Sequence, residues 1–179
     1  MSSRAVFLDR DGVLNRALVR GNKPYPPGSV EELEILPGVA EGLRELKAAG
    51  FLLIVVSNQP DVARGTVARH TVEDINQALA VALPIDEFRT CYHDSLDHCH
   101  CRKPKPGMLL DAARKWNIDL SRSYMVGDRW RDTEAGQAAG CSTFFIDYGY
   151  DEKQPDQVDQ RVTSLRDAAK IILRTESTS

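Results

Sequence analysis

The chain has 179 residues, of which 42% are hydrophobic and 27% are charged, and its formal net charge is -3. This length and composition predict one globular domain and exclude a disordered or fibrous chain, because domains mostly contain about 100–200 residues. The slight negative charge argues against nucleic acid and against an anionic membrane as partners, since both bind basic surfaces. We therefore expect a single domain spanning residues 1–179.

The sequence shows no targeting or membrane-anchoring segment. The apolar run AVFL near the N-terminus is too short for a signal peptide. No run of about 18 apolar residues, the length needed for a transmembrane helix, occurs anywhere. We expect a cytoplasmic protein, and in that reducing compartment clustered cysteines favour a metal site over disulfides.

Apolar runs alternate with segments of helical periodicity along the chain. Residues 5–8 (AVFL) read as a buried strand that ends at Asp9, and residues 51–56 (FLLIVV) read as a second one. The segment 38–49 between them has helical spacing and is bounded by Pro37 and Gly50. The other predicted elements are a helix at 71–83 opened by a T-x-x-D capping box, a strand at 88–92, a helix at 106–116, a strand at 124–126, a helix at 132–139, a strand at 143–146 and a helix at 164–174.

This alternation predicts an α/β fold. Strands that alternate with helices form right-handed crossovers, which give a mainly parallel sheet covered by helices on both faces. We expect a Rossmann-like three-layer sandwich with no insertion large enough for a cap domain. Two polar segments, 16–36 and 147–160, are predicted loops, and the first is long enough to lie over the mouth of a site.

Charged and polar side chains follow four of the predicted strands. Because ligands of open α/β sheets bind at the carboxyl ends of the parallel strands, we expect these side chains to converge on one crevice. Each pattern alone is common in ordinary turns, and the joint placement carries the prediction. The residues are Asp9 and Asp11 after the first strand, Ser57 and Asn58 after the second, Arg102, Lys103 and Lys105 after the third, and Asp128 and Asp132 after the fourth.

Carboxylates from two of these loops predict a magnesium site. Asp9, Asp11 and Asp128 offer the hard oxygen ligands that Mg²⁺ prefers. Together with Ser57 and Lys103 they would also cradle a phosphoryl group, and a carboxylate can attack phosphorus to form an aspartyl phosphate. The sequence therefore predicts a Mg²⁺ site at which a phosphoryl group can be transferred to an aspartate.

The segment CYHDSLDHCHCRKPKPG, residues 91–107, predicts a second metal site. Its pattern C-x-H-x₅-C-x-C suits a closed, structural Zn²⁺ site, which would organise a loop too polar to fold on its own at about residues 91–101. His98 or His100 could replace the histidine of the pattern as the fourth ligand. The four predicted ligands are Cys91, His93, Cys99 and Cys101.

Four sequence motifs, FLDRDGVLN, VVSNQ, CRKPKPGM and YMVGDRWRD, carry a family resemblance. In this order they resemble the signature motifs of the haloacid dehalogenase superfamily of phosphohydrolases. The added cysteine and histidine pattern is similar to that of the branch containing the D-glycero-D-manno-heptose-1,7-bisphosphate 7-phosphatases and the histidinol-phosphate phosphatases. The resemblance covers about residues 5–146.

The resemblance implies roles for individual residues. Asp9 would be the nucleophile and Asp11 the general acid and base. The ligands of Mg²⁺ would be Asp9, the backbone carbonyl of Asp11, and Asp128. The other implied contacts are Ser57 and Lys103 with the transferring phosphoryl group, Asn58 with phosphate or substrate, and Arg102 with the distal phosphate of the substrate.

The resemblance also implies a substrate. It indicates a Mg²⁺-dependent phosphoric monoester hydrolase that acts on a small phosphorylated sugar, namely the heptose 1,7-bisphosphate that loses its 7-phosphate during the synthesis of a nucleotide-activated heptose. Nothing in the sequence argues for an oligomer, and we expect a monomer. The segment NQPDVARG matches the heptose branch at VARG, but Pro60 and Asp61 depart from both branches. Histidinol phosphate or another small phosphomonoester is the alternative substrate, and the anomer of the sugar stays open.

Two functions of another class remain as alternatives. A phosphoryl-accepting signalling receiver also combines clustered aspartates with a lysine, but that family carries its acceptor after the third strand, where this chain has Cys91. A zinc-organised binding module without catalysis would depend on the metal and not on Asp9.

Overall fold

The computed structural model describes residues 2–177. Its strands are β1 (Arg4–Leu8), β2 (Leu18–Arg20), β3 (Lys23–Tyr25), β4 (Phe51–Asn58), β5 (Glu87–Cys91), β6 (Tyr124–Gly127), β7 (Ser142–Ile146) and β8 (Gln160–Val162). Its helices are α1 (Val39–Ala48), α2 (Arg69–Ala82), α3 (Gly107–Trp116), α4 (Trp130–Ala139) and α5 (Leu165–Ser177).

Six strands form one parallel sheet in the order β5-β4-β1-β6-β7-β8. The central strand β1 pairs with both β4 and β6, and Leu8 lies beside Val55 on one side and Val126 on the other. The carboxyl ends of these strands therefore meet at one edge of the sheet, as the sequence predicted.

Helices cover both faces of the sheet, which confirms the three-layer α/β sandwich. Successive residues of β1 point to opposite faces, so Val6 packs in one buried cluster and Phe7 in the other. Helices α1, α2 and α5 contribute to the first cluster, and α3 and α4 to the second. Both faces of the central strands are thus buried, which explains why they read as continuous apolar runs.

The segment 16–36 differs from the predicted loop because it contains a hairpin. Strands β2 and β3 pair antiparallel around Gly21 and Asn22, which both have positive φ. The hairpin has no alternating apolar pattern, since it lies at the surface and Val19 is 55% exposed. A sequence pattern that depends on burial therefore does not indicate this hairpin.

Two other boundaries differ from the prediction. The helix α2 begins at Arg69, so Thr71 lies inside it, and Ala68 precedes it without a side-chain cap. The predicted T-x-x-D capping box is therefore wrong. The segment after β7 is followed by a short sixth sheet strand, β8, which was missed because two of its three residues are exposed.

The helices within residues 2–177 are either too short or too polar to cross a lipid bilayer.

Candidate active site

A cavity of about 450 Å³ opens at the carboxyl ends of the parallel strands. Seven of the nine residues predicted to converge there line it, and Lys105 does not: the seven are Asp9, Asp11, Asn58, Arg102, Lys103, Asp128 and Asp132. Ser57 does not line it. Its side chain is buried, and its Oγ accepts a hydrogen bond from Gln59 Nε2 at 2.9 Å.

The ammonium group of Lys103 lies at the base of this cavity. Its Nζ donates to Asp9 Oδ1 at 2.9 Å, to Asp132 Oδ1 at 2.6 Å and to the Val56 carbonyl at 2.6 Å. Burial alone would lower the pKa of Lys103, but the two carboxylates outweigh it and raise the pKa above its usual value. Lys103 is therefore a fixed positive charge with all three donors in use.

The carboxylate of Asp9 is buried beside this lysine. Burial, followed by the charge of Asp132, raises its pKa to about 6, although Lys103 opposes the shift. Asp128 is 1% exposed, and burial, followed by the charge of Asp9, raises its pKa well above the usual range. These shifts show carboxylates crowded together with too little positive charge between them.

Three carboxylates form a group suited to a divalent cation. Oxygen atoms of Asp9, Asp128 and Asp132 all lie within 4.8 Å of one another. Oδ1 of Asp128 is buried without a hydrogen-bond partner, so it is free to bind a metal. Hard oxygen donors with excess negative charge fit Mg²⁺.

Asp11 lies outside that group. Its carboxylate accepts hydrogen bonds from Arg10, from Asn15 Nδ2 at 3.0 Å and from Gln59 Nε2 at 2.9 Å. The Asp11 carboxylate is therefore held by hydrogen bonds and does not belong to the group of three carboxylates. Arg10 is completely buried and also donates to Asn76 Oδ1 at 3.0 Å. Because its guanidinium group is held in this way, it fixes the position of the Asp11 carboxylate.

Asn58 holds the backbone of Lys103. Its Nδ2 donates to the Lys103 carbonyl at 3.0 Å, and its Oδ1 accepts from the Lys103 amide at 3.1 Å. The pair of bonds joins the end of β4 to the segment that carries the lysine. Asn58 thereby acts on the position of Lys103 in addition to lining the cavity.

The four predicted zinc ligands lie together. Cys91, His93, Cys99 and Cys101 place one ligand atom each within 4.8 Å of the others. The Sγ atom of Cys91 lies 3.7 Å from that of Cys99 and 3.1 Å from that of Cys101, and His93 Nδ1 lies 3.3 Å from Cys101 Sγ. Zn–S bonds of about 2.3 Å give S–S separations of about 3.8 Å in a tetrahedron, so the group fits a zinc ion.

The other two histidines of the loop lie outside this group. His100 Nε2 is 3.0 Å from Asp111 Oδ2, and His98 is an exposed residue with positive φ. Of the three candidates, the structure therefore brings His93 to the cysteines.

Hydrogen bonds connect the loop of residues 91–101, which carries the three cysteines and His93, to the cavity. Arg102 Nη1 donates to the His93 carbonyl at 3.2 Å, and Lys105 Nζ donates to the Cys99 carbonyl at 2.6 Å. Arg64 Nε donates to Asp94 Oδ2 at 2.7 Å from the segment after β4. The loop that carries the cysteines thus leads directly into Arg102 and Lys103, which form part of the cavity wall.

Comparisons with known proteins agree with this geometry. A family model for a haloacid dehalogenase-like hydrolase matches residues 25–140. A D-glycero-beta-D-manno-heptose-1,7-bisphosphate 7-phosphatase of Rhodopseudomonas palustris is 40% identical over 152 residues, which cover 78% of this chain and 81% of that protein. The chain belongs to the haloacid dehalogenase-like hydrolase family.

Two further relatives cover nearly the whole length of this hydrolase. A protein of the same name from Pasteurella multocida is 34% identical and covers 94% of this chain and 96% of its own. The crystal structure of D,D-heptose 1.7-bisphosphate phosphatase from B. bronchiseptica complexed with magnesium and phosphate superimposes with a TM-score of 0.81 at 30% identity, covering 96% and 99% of the two chains. The chain is accordingly a phosphate monoester hydrolase.

Five cations line the cavity of this hydrolase above Lys103, and they fall into two groups. Arg64 pairs with Asp61 and Asp94, and Arg129 pairs with Glu152. The remaining three form no ion pair with any carboxylate among residues 2–177. These are Lys23, Arg102 and Arg131.

Two positions where this hydrolase departs from the sequence pattern of both branches lie in the cavity wall. Pro60 and Asp61 both line it, and Asp61 Oδ1 is 3.4 Å from Arg64 Nη1. The departure therefore lies on the surface that a substrate would touch and outside the hydrogen bonds between Asp9 and Lys103.

Several residues of the site had no role assigned by sequence. Asp132 was recognised only as an acidic residue after the fourth strand, yet it binds both Lys103 and the Arg129 amide. The motif GDRWRD contains it, so its place in a signature motif was the available signal. Arg10 and Arg131 also lie in signature motifs, FLDRDGVLN and YMVGDRWRD, whereas Tyr150 lies outside them and its partner Asp128 is 22 residues away.

Proposed function

We propose that this hydrolase removes the 7-phosphate of D-glycero-D-manno-heptose 1,7-bisphosphate. The observation that carries the proposal is the contact of Lys103 with Asp9 at the base of a cavity walled by unpaired cations. The names of relatives 34–40% identical to this chain support the substrate. We also propose that the enzyme acts as a monomer in the cytoplasm, where reduced thiolates can hold zinc.

The proposed reaction has two steps at phosphorus. A carboxylate oxygen of Asp9 forms a bond to the phosphorus atom while the bond to the sugar oxygen breaks, and Asp11 gives that oxygen its proton. Asp11 then takes a proton from water, whose oxygen attacks phosphorus and breaks the bond to Asp9. Lys103 stabilises the negative charge on the phosphoryl oxygens in both steps.

Magnesium would be held by Asp9, Asp128 and the backbone carbonyl of Asp11, because both oxygens of Asp132 already accept hydrogen bonds from Lys103 and the Arg129 amide. When bound, it neutralises phosphoryl charge and relieves the repulsion between the carboxylates. Ser57 would donate its hydroxyl proton to a phosphoryl oxygen, and this bond is compatible with the hydrogen bond that its oxygen accepts from Gln59.

Zinc would be held by Cys91, His93, Cys99 and Cys101 in a closed structural site. Four protein ligands leave no open position for a substrate, so its contribution is to the fold of the loop. By fixing this loop it would present Arg102 and Lys103 to the substrate.

The unpaired cations support a substrate with a second phosphate. Arg131 is partly desolvated, and this burial, followed by the positive charges of Arg129 and Arg102, lowers its pKa. A second phosphate placed between Arg102 and Arg131 would relieve that repulsion. A substrate with one phosphate leaves the cations uncompensated.

The test is phosphate release from each anomer of heptose 1,7-bisphosphate, compared with histidinol phosphate and an aryl phosphate. We expect a preference of at least about 10²-fold in kcat/KM for one heptose anomer. A preference for histidinol phosphate would keep the mechanism and overturn the substrate. No release, together with a phosphorylated protein that persists for many minutes, would favour a signalling receiver.

Replacing Asp132 with asparagine should lower kcat by about 10²-fold, because a buried lysine then loses one of its two carboxylate partners. Lys103 would no longer be held between Asp9 and Asp132 and would shift away from the phosphoryl group. Steady-state phosphate release measures the loss.

Asp86→Asn is the matched control for this variant. Asp86 also binds a lysine, Lys47, and a backbone amide, that of Leu53, but it lies at the amino end of β5. Its replacement should lower stability with little change in kcat. Equal losses of kcat in the two variants would show that Asp132 acts only through stability.

Replacing Arg131 with methionine should raise KM for the bisphosphate by about 10-fold, since a hydrogen bond between two charged groups contributes about 1.5–3 kcal/mol. Methionine keeps a long side chain over Trp130, on which Arg131 now stacks at 4.4 Å. The aryl phosphate, which has one phosphate, should be hydrolysed as by the wild type. Arg114→Gln, at an exposed position on α3, is the control, and a similar loss with both substrates in Arg131→Met would contradict the assignment.

A further inference from the structure

The segment 147–152 after β7 contacts the site in three places that the proposed mechanism does not use. Tyr148 Oη donates to the Gly12 carbonyl at 2.8 Å, and Tyr150 Oη donates to Asp128 Oδ2 at 2.9 Å. Glu152 accepts from Arg129 Nε at 2.7 Å. This polar segment therefore holds the loops that follow β1 and β6 in place.

The two carboxylate oxygens of Asp128 differ in their hydrogen bonding because only one of them contacts Tyr150. Both side chains are buried, with Tyr150 8% and Asp128 1% exposed. Oδ2 accepts the tyrosine hydroxyl, whereas Oδ1 has no partner among residues 2–177. The tyrosine thereby leaves one defined oxygen of Asp128 free for a cation.

The space around Oδ2 allows little movement. A Cβ atom on Gly12, which has φ +85°, would lie 2.0 Å from Asp128 Oδ2. The carboxylate is therefore confined between the backbone of Gly12 and the hydroxyl of Tyr150. Such confinement fixes the rotation of the carboxylate about its Cβ–Cγ bond.

The segment is itself held in place by the hairpin of β2 and β3. Asn22 Nδ2 donates to the Gly149 carbonyl at 3.0 Å, and the Asp151 amide donates to the Asn22 carbonyl at 3.0 Å. The rings of Tyr148 and Tyr150 lie 5.5 Å apart between their centroids. Tyr150 thus has a fixed position from which to orient Asp128.

We propose that Tyr150 is a positioning residue for magnesium: its hydroxyl holds Oδ2 of Asp128 so that Oδ1 points to the cation. The proposal rests on the magnesium site of the proposed function. A hydrogen bond to the second oxygen of a metal-binding carboxylate orients the first oxygen before the metal arrives, which lowers the cost of binding. Tyr150 does not contact the substrate in this account.

The test is Tyr150→Phe in the full, zinc-loaded chain. Magnesium affinity is measured by titration calorimetry without substrate, and the expected result is a dissociation constant about 10-fold higher, the lower end of the range for losing such a partner. In phosphate release, the Mg²⁺ concentration for half-maximal rate should rise by the same factor. KM for the sugar phosphate at saturating Mg²⁺ should stay unchanged.

Tyr124→Phe is the matched control. Tyr124 Oη also donates to a carboxylate, Glu176 Oε1, at 2.9 Å, but it lies at the amino end of β6, away from the cavity. It should lower the melting temperature without changing magnesium affinity.

Two results would overturn the proposal. The first is a magnesium affinity of Tyr150→Phe that lies within twofold of the wild-type value. If the melting temperature of that variant is also lower, Tyr150 has only a structural role. If the wild type bound no magnesium at all, the metal site of the proposed function would fail as well. If magnesium bound as expected and no sugar phosphate were hydrolysed, only the proposed substrate would fail.

Discussion

Asp9→Asn should abolish phosphate release, with kcat reduced by at least about 10⁴-fold, because removing a nucleophile leaves only the contribution of the remaining binding groups. The asparagine amide has nearly the same shape and cannot form an acyl phosphate that turns over. Phosphate release at saturating substrate and Mg²⁺ measures the effect. Residual activity above about a hundredth of the wild-type rate would contradict the role of Asp9 as nucleophile.

The same variant should be at least as stable as the wild type when no magnesium is present. Burial, followed by Asp132, raises the pKa of Asp9 to about 6 in the folded protein, so its charge is disfavoured at neutral pH. Asparagine removes that charge and leaves Lys103 paired with Asp132. Melting temperatures with and without Mg²⁺ test this point.

The stability gained by Asp9→Asn over the wild type should increase with pH. A carboxyl group whose pKa is raised on folding binds its proton more readily in the native state, so its contribution to stability falls as pH rises from the unfolded value towards 6. The gain in melting temperature of Asp9→Asn over the wild type should therefore be larger at pH 7 than at pH 5. An equal gain at both pH values would show that the charge of Asp9 is not the cause.

Cys101→Ser should release zinc, lower the melting temperature and reduce kcat/KM by at least about 10²-fold, because the binding energy of a structural zinc is folding energy for its loop. Cys101 directly precedes Arg102 and Lys103, so disorder in the loop would reach both cations. The polar residues between His93 and Cys99 are mostly exposed and have little apolar surface to fold the loop without metal. Zinc content, melting temperature and phosphate release measure the three effects.

Cys141→Ala provides the control for this variant. Cys141 is the fourth cysteine; it is buried in the same apolar cluster as Cys91 but does not belong to the group of three cysteines and His93. Its replacement should keep one zinc per chain and change kcat/KM little. Full activity of Cys101→Ser without zinc would contradict the claim that zinc fixes Lys103.

The central sheet could be predicted from sequence because its strands are buried on both faces. Residues 5–8 and 51–56 form continuous apolar runs, and the structure places them in neighbouring parallel strands. The hairpin of β2 and β3 and the edge strand β8 gave no such signal, since exposed strands of three residues are specified by their partners. A local pattern reveals burial better than it reveals pairing.

The candidate site divides in a similar way. The spacing C-x-H-x₅-C-x-C predicted which side chains would cluster, and the structure brings Cys91, His93, Cys99 and Cys101 together. The contact of Asp132 with Lys103 spans 29 residues, and that of Tyr150 with Asp128 spans 22 residues. No motif joins the two members of either pair, so only the folded chain reveals them.

The measurement that tests the central claim most directly is the mass of the protein quenched in acid during the first turnover of heptose 1,7-bisphosphate. We expect one phosphoryl group on the peptide that contains Asp9, formed before free phosphate appears, lost during turnover and absent from Asp9→Asn. A burst of phosphate with no phosphorylated peptide, or a phosphoryl group on another residue, would contradict it.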